Sequence, residues 1–269
     1  EFKKSIQERK VSDLPENDLL IEVHYSSLNF KDAMSVSGNK RITREYPHTP
    51  GIDAAGVVVS DKSGTFSPGQ EVLVFAALSV QKLEKMGAKP SDGPVAVTGA
   101  TGGVGTISIA ILKQLGYDVI AFSGKPEQSE HLKELGASEV RHRDTINEIG
   151  NKPVGRELWA NAIDTIGGDY LSNLLKQTKA GGAVTSCGLA GGAEFSMSVI
   201  PFITRAVSLL GIDSVYIPLA DKEAIWKRVA TDMKLPNLES YGEEITLEQT
   251  PEYLDRFMSS KVVGRYVVN

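Results

Sequence analysis

The stretch "VTGATGGVG", Val97 to Gly105, joins an apolar strand end, four glycines and the start of a helix. Glycines at 99, 102, 103 and 105 let the backbone approach a pyrophosphate, while the N–H groups of the following helix point at it. A loop of this kind can also serve only to pack a strand tightly on a helix. The strand, loop, helix and next strand follow in the order that a dinucleotide site requires, and this favours the phosphate.

Working outward, the chain from Pro94 alternates short apolar strands with amphipathic helices. The strand "VAVTG" leads to a helix from Gly103 to Leu115, strand "DVIAFSG", helix "EQSEHLKELG" and strand "SEVRHR". Next come strand "WANAIDTIG", helix "DYLSNLLKQTK", strand "GAVTSCGL", helix "IPFITRAV" and strand "SLLGIDSV". Such alternation, with nearly continuous apolar strands, specifies an α/β fold with a parallel, doubly wound sheet. Upstream, "DLLIEVHY", "GIDAAGVVVS" and "SPGQEVLVF" read as strands of an antiparallel region over residues 1 to 74, and Ser79 to Gly87 turns helical. Downstream of Leu219 the pattern predicts helices around Ile225–Met233 and Pro251–Met258, then a closing strand "GRYVVN".

Composition narrows the function. The 269 residues are 41% hydrophobic and 23% charged with a net charge of -5, an ordinary globular balance sufficient for two domains. No Lys/Arg run with interleaved aromatics could track a nucleic-acid backbone. No apolar run approaches the roughly 20 residues of a membrane span, and no signal peptide is read at the start, so a cytoplasmic protein is expected. The single Cys187 excludes an internal disulfide. Its setting in "AVTSCGL" predicts a small core side chain. The four histidines, His24, His48, His131 and His142, show no ligand spacing, and Trp159 and Trp226 read as packing anchors.

The end of the second parallel strand chooses between dinucleotides. NAD enzymes place an acid there, about 20 residues after the glycines, to accept ribose hydroxyls. Here the residues are Ser123, Gly124 and Lys125. An acid facing a 2'-phosphate at roughly 4 Å would repel it by about 4 kcal/mol at an effective dielectric near 20, whereas Ser and Lys donate to it. NADPH is therefore favoured. Arg143 is a second cation for the same edge; the alternative for Lys125 is a solvated loop lysine.

The motifs "SSLNFKDAMSVSG", "YPHTPGIDAAGVV", "PGQEV", "VTGATGGVG", "SGK", "AIDTIGG", "CGLAGG", "PFITRAVSLLGIDSV" and "GRYVV" together resemble the zinc-free medium-chain dehydrogenase/reductases. Specifically, they resemble the quinone oxidoreductase branch that includes NADPH-dependent acrylyl-CoA reductases. The resemblance implies a GroES-like, partly barrel-shaped β catalytic domain with an inserted Rossmann domain. The expected bounds are 1–74 for the first part of the catalytic domain, 75–215 for the Rossmann domain and 216–269 for the return to the catalytic domain. Relatives carry several dozen further residues where Val74 meets Phe75 and a strand before Phe2, so both are expected to be missing from the numbered sequence.

The resemblance also implies site residues. Where zinc-dependent relatives carry Cys and a His-Glu pair, this chain has Asn29 and Ile52-Asp53, so no zinc site is expected. Asn29, Lys31, Asp32 and Arg265 are the expected catalytic positions. Lys31 is an enolate-facing donor or a nicotinamide-ribose contact oriented by Asp32; the alternative is a surface pair worth below about 1 kcal/mol. Asp53 either ties a turn or acts on substrate. Phe30 stands where relatives have Tyr, which removes a phenolic donor. The expected cofactor contacts are Phe30, Thr101, Gly102, Gly103, Val104, Ser123, Gly124, Lys125, Arg143, Leu189, Ile203, Ser214 and Arg265.

Without a metal, a conjugated acceptor is easier to reduce than an isolated carbonyl. Hydride adds to the β-carbon, and charge collects on an enolate oxygen that hydrogen-bond donors can hold. The reading is an NADPH-dependent reduction of an enoyl thioester, with enones or quinones as the alternative and a redox sensor without turnover as the competing class. Lys40, Arg41 and Arg44 could meet CoA phosphates or be a solvated loop. A homodimer through an edge strand of the Rossmann sheet, "SLLGIDSV", is expected from relatives.

Overall fold

The computed structural model describes residues 2–63, 71–72, 77–214, 216–259 and 261–269. The junction of Val74 with Phe75, where a missing stretch is expected, lies outside the described residues. The chain divides into two compact units, Glu1–Val74 with Glu239–Asn269, and Phe75–Leu238.

The first unit holds β1 (Leu19–Leu28), α1 (Phe30–Val36), β2 (Ala55–Asp61) and β3 (Glu71–Val72). Its C-terminal part adds β10 (Gly242–Ile245), α8 (Thr250–Met258) and β11 (Arg265–Val268). The sheet order is β10-β11-β1-β2-β3. β11 runs antiparallel to β1, with Ser27 opposite Val267 and Leu28 opposite Tyr266, so the last strand of the chain returns to the first. Leu28, Ala33, Ile245, Tyr253, Leu254, Tyr266 and Val268 form the core between this sheet and helices α1 and α8. Two elements are absent from the sequence reading. Phe30–Val36 form helix α1, a seven-residue helix for which no helical pattern is read in the sequence. Strand β10, "GEEI", is absent from the sequence reading because three of its four residues are exposed and leave no alternating pattern. It pairs parallel with β11, whereas β1–β2 and β2–β3, within residues 1 to 74, pair antiparallel as expected.

The second unit runs α2 (Leu78–Lys85), β4 (Val95–Val97), α3 (Gly103–Gln114), β5 (Val119–Ser123), α4 (Ser129–Glu134) and β6 (Glu139–His142). It continues with β7 (Asn161–Asp164), α5 (Gly168–Lys176), β8 (Ala183–Ser186), α6 (Ile200–Arg205), β9 (Ser208–Gly211) and α7 (Leu219–Val229). All six strands are parallel, in the order β6-β5-β4-β7-β8-β9. The strands are apolar on both faces because helices cover both. Val95, Val97, Val119 and Ala121 face the core that contains Leu83, Ile109 and Leu112. The alternate residues Ala96, Ile120 and Phe122 face Trp159, Leu171 and Leu174. The strand order reverses between β4 and β7, and a doubly wound sheet opens its ligand crevice at the carboxyl ends of such strands.

The boundary expected between 215 and 216 lies instead between 238 and 239. The reason is packing: Ile225 on α7 and Met233 beyond it are each 1% exposed and belong to the same core as Val80, Leu83 and Ile109. Arg228 of α7 also bonds Glu84 of α2. No helix among the described residues is long and apolar enough to cross a membrane.

Candidate functional site

The glycine loop leaves β4 at Thr98 and enters α3 through Gly102. Gly99 has φ 58°, in the left-handed region, and a Cβ there would lie 2.2 Å from Thr165 Oγ1. Gly105 is required for a different reason. Its Cβ would sit 2.3 Å from the Gly99 carbonyl oxygen, so only glycine lets the first turn of α3 press on the loop. Thr101 is buried, while Gly102, Gly103 and Val104 are partly exposed at the helix start. The twelve-residue α3 directs its first N–H groups to this open end.

At the end of β5 the structure brings Ser123, Gly124, Lys125 and Arg143 together. A Cβ on Gly124 would lie 2.9 Å from Arg143 Nε, so the guanidinium lies against the glycine backbone. Burial and then the Arg143 charge lower the Lys125 pKa, against an upward pull from Glu127. Two cations thus share one edge. Ser123 is buried, and its Oγ accepts a hydrogen bond from Lys125 N at 3.0 Å, so it shapes the turn as well as offering a hydroxyl. Arg143 is 3.8 Å from Asp144 Oδ1, which also accepts from Tyr170 Oη at 2.8 Å.

Farther along the carboxyl edge, Leu189 is 48% and Ile203 75% exposed, apolar side chains that a ligand could cover. Ser214 is half-buried. The close approach of Gly188 to Thr165 fixes the loop that carries Leu189, since a Cβ there would overlap the Thr165 carbonyl oxygen at 1.8 Å. Cys187, expected in the core, is exposed at this edge. Its Sγ lies 3.4 Å from the Asp164 carbonyl oxygen, and surrounding protein pushes the thiol up to about 11.

The first unit carries a separate polar cluster. Asp53 Oδ2 accepts from Ser27 Oγ at 2.6 Å, Asn29 Nδ2 at 2.7 Å and Arg265 Nη1 at 3.4 Å. Arg265 Nη1 also donates to Ser27 Oγ at 2.9 Å and Asn29 Oδ1 at 3.2 Å. The β1–β11 pairing makes this possible, because it sets Arg265, first in β11, beside the end of β1. Asp53 thus gathers the end of β1 and the start of β11 around one carboxylate. Ser27 was not anticipated; a serine in a strand carries no signal until its partner strand is known.

Asp32 Oδ2 accepts from Asn29 N at 2.8 Å, closing the start of α1. Burial raises its pKa, opposed first by that backbone bond and least by the Lys31 charge. Asp32 therefore fixes Asn29, while the neighbouring Lys31 is exposed. Phe30 is half-buried at the first position of the helix. Lys40, Arg41 and Arg44 are all exposed.

Comparison with known proteins agrees with this arrangement. The sequence profile "Alcohol dehydrogenase GroES-like domain" matches residues 15–114, and "Zinc-binding dehydrogenase" matches residues 103–230. The chain is 35% identical to acrylyl-CoA reductase AcuI of Ruegeria pomeroyi, over 98% of this chain and 94% of that protein. That alignment spans 309 positions, more than the 269 residues here, so the relative holds residues without a counterpart in this chain. The structure of Escherichia coli K-12 YhdH with bound NADPH superposes with a TM-score of 0.93 at 37% identity, covering 98% of this chain and 95% of that one. Bacillus subtilis YhfP with NAD bound gives 0.91 at 38%, covering 97% and 93%.

Zinc, implied by the name of the second profile, does not fit these residues. Among the described residues no group of three or more His, Cys, Asp or Glu could hold a metal ion. The Asp53 cluster instead contains a cation of its own, Arg265. A dinucleotide does fit, because the start of α3 at Gly102, Gly103 and Val104 is partly exposed and carries no bulky polar side chain, and the β5 edge carries two cations. With a GroES-like first unit, a 3-2-1-4-5-6 parallel sheet in the second and end-to-end relatives above 30% identity, the chain belongs to the medium-chain dehydrogenase/reductase family.

Proposed function

We propose that the protein is an NADPH-dependent reductase of an activated C=C bond, with acrylyl-CoA or a similar short enoyl thioester as substrate. The observation that carries this reading is the Arg265 guanidinium held by Ser27, Asn29 and Asp53, a fixed donor group suited to an oxygen that becomes negative. When bound, NADPH supplies a hydride for the β-carbon of the acceptor. The glycine loop and the first turn of α3 hold the pyrophosphate. Lys125 and Arg143 hold the 2'-phosphate, with the Ser123 hydroxyl beside them. Leu189, Ile203 and Ser214 cover the nicotinamide half.

On the first unit, the enolate oxygen takes hydrogen bonds from Arg265. A guanidinium has five N–H donors, and the contacts to Ser27, Asn29 and Asp53 use Nη1. Asp53 prevents the guanidinium from swinging away. Lys31, exposed at the start of α1, is a second donor for substrate or nicotinamide ribose. Lys40, Arg41 and Arg44 meet the CoA phosphates. A sensor without turnover is not favoured, since the relative from Ruegeria pomeroyi is named a reductase.

The finer assignments are a cytoplasmic homodimer. β9 is an edge strand of its sheet, and the exposed Val199 and Ile203 lie just before it. Sedimentation equilibrium should give twice the 29.0 kDa chain mass; a monomer would remove the dimer from the reading.

Three further outcomes are expected. Following NADPH oxidation optically with acrylyl-CoA should give saturable turnover, with NADH a poor substitute. NADPH binding without turnover on acrylyl-CoA, but with turnover on quinones or enones, would change the substrate class. Lys125→Glu should reverse the cofactor preference by at least tenfold, consistent with a repulsion of up to about 4 kcal/mol; unchanged discrimination would remove the 2'-phosphate assignment. Arg265→Ala should lower kcat by about 10²–10³, the usual loss for one oxyanion donor. Unchanged rates in both Arg265→Ala and Lys31→Ala would place the donors elsewhere.

A further inference from the structure

Asp164, the last residue of β7, is fully buried and takes no part in the proposed chemistry. Its carboxylate is ringed by donors. Oδ1 accepts from Thr98 Oγ1 at 2.8 Å and Ile166 N at 3.2 Å; Oδ2 accepts from Gly167 N at 2.9 Å and Ser186 Oγ at 3.3 Å. An ionised carboxylate is an acceptor only, so it can satisfy all four at once, whereas a protonated acid would turn its own proton on one of them. Burial raises the carboxyl pKa, and these four donors oppose the rise.

The donors come from three neighbouring strand ends. Thr98 ends β4 and opens the glycine loop, Ile166 and Gly167 follow β7, and Ser186 ends β8 and opens the loop bearing Leu189. Further bonds join the same pieces. Thr165 N donates to Thr98 Oγ1 at 3.0 Å, Thr165 Oγ1 to the Thr98 carbonyl at 2.9 Å, and Gly191 N to the Ile166 carbonyl at 2.7 Å. The carboxylate bonds groups at the β4, β7 and β8 ends, beside the point where the strand order reverses between β4 and β7.

We propose that Asp164 is a positioning residue for the cofactor: its buried carboxylate clamps the phosphate loop after β4 to the loop after β8 and sets the spacing at which one dinucleotide spans both. This rests on the NADPH reading above. It also separates two parts of the cofactor site. The adenosine 2'-phosphate edge, Ser123 to Lys125 with Arg143, lies at the end of β5, whereas the four donors to Asp164 come from the ends of β4, β7 and β8, the loops on which the pyrophosphate and nicotinamide portions depend.

The test is calorimetric binding of NADPH and of adenosine 2'-monophosphate, which carries the 2'-phosphate for the β5 edge and no phosphate for the glycine loop. Asp164→Asn, which keeps the shape but sets an NH2 group among donors, should bind NADPH at least tenfold more weakly and adenosine 2'-monophosphate within twofold of the unsubstituted protein. Thr98→Val should weaken NADPH about threefold, and Thr98→Ser should restore it. If Asp164→Asn does not fold, the Thr98 pair decides the matter. Unchanged NADPH affinity in Asp164→Asn, a parallel loss of both ligands, or equal affinities in the two Thr98 variants would each overturn the clamp. Failure of the unsubstituted protein to bind either ligand would instead refute the NADPH reading, and the clamp with it.

Discussion

The first turn of α3 rests on the carbonyl of Gly99, an approach that a single methyl group at Gly105 would block at 2.3 Å. Much of the second unit follows from it. Because the helix starts this close to the sheet, its apolar face, including Ile109 and Leu112, reaches Val95, Val97 and Val119 and closes one side of the core. The helix start then remains as an open row of N–H groups at the carboxyl end of β4. Packing and the proposed pyrophosphate site therefore depend on the same backbone contact, and a side chain at Gly105 would disturb both.

Buried polar groups complete this edge. A carboxyl group taken out of water is costly unless hydrogen-bonded, and each bond to a charged group contributes about 1.5–3 kcal/mol. Asp164 meets that requirement with four donors, which makes the ends of β4, β7 and β8 one unit. In the first unit Asp53 has a comparable role toward Ser27, Asn29 and Arg265, with the difference that a cation faces it and the cluster is only half-buried. Removing one partner from either group would leave a poorly compensated charge, so neighbouring substitutions should couple rather than add.

Periodicity made the parallel sheet legible because every strand and helix between Val95 and Gly211 carries its burial pattern in adjacent residues. The glycine loop and the Ser123–Lys125 edge were legible for the same reason, since each is a local stretch with direct chemical meaning. β10 was not, because an exposed four-residue strand has no pattern to read. Helix α1 was not legible either, because seven residues span only about two turns and leave too short a stretch for a helical period to stand out. The placement of α7 in the second unit depended on which core Ile225 enters, a question its own amphipathic pattern leaves open.

The sequence by itself determined the fold class and the place of the glycine loop between β4 and α3, because each strand, helix and turn carries its own local pattern. The tertiary structure alone decided that Arg265 reaches Asp53, 212 positions earlier, and that Asp164 gathers Thr98 and Ser186, 66 and 22 positions away. Strand pairing creates these contacts. A hydrogen bond needs its donor and acceptor within a few ångströms, and at long separation along the chain only the completed sheet fixes distances that closely.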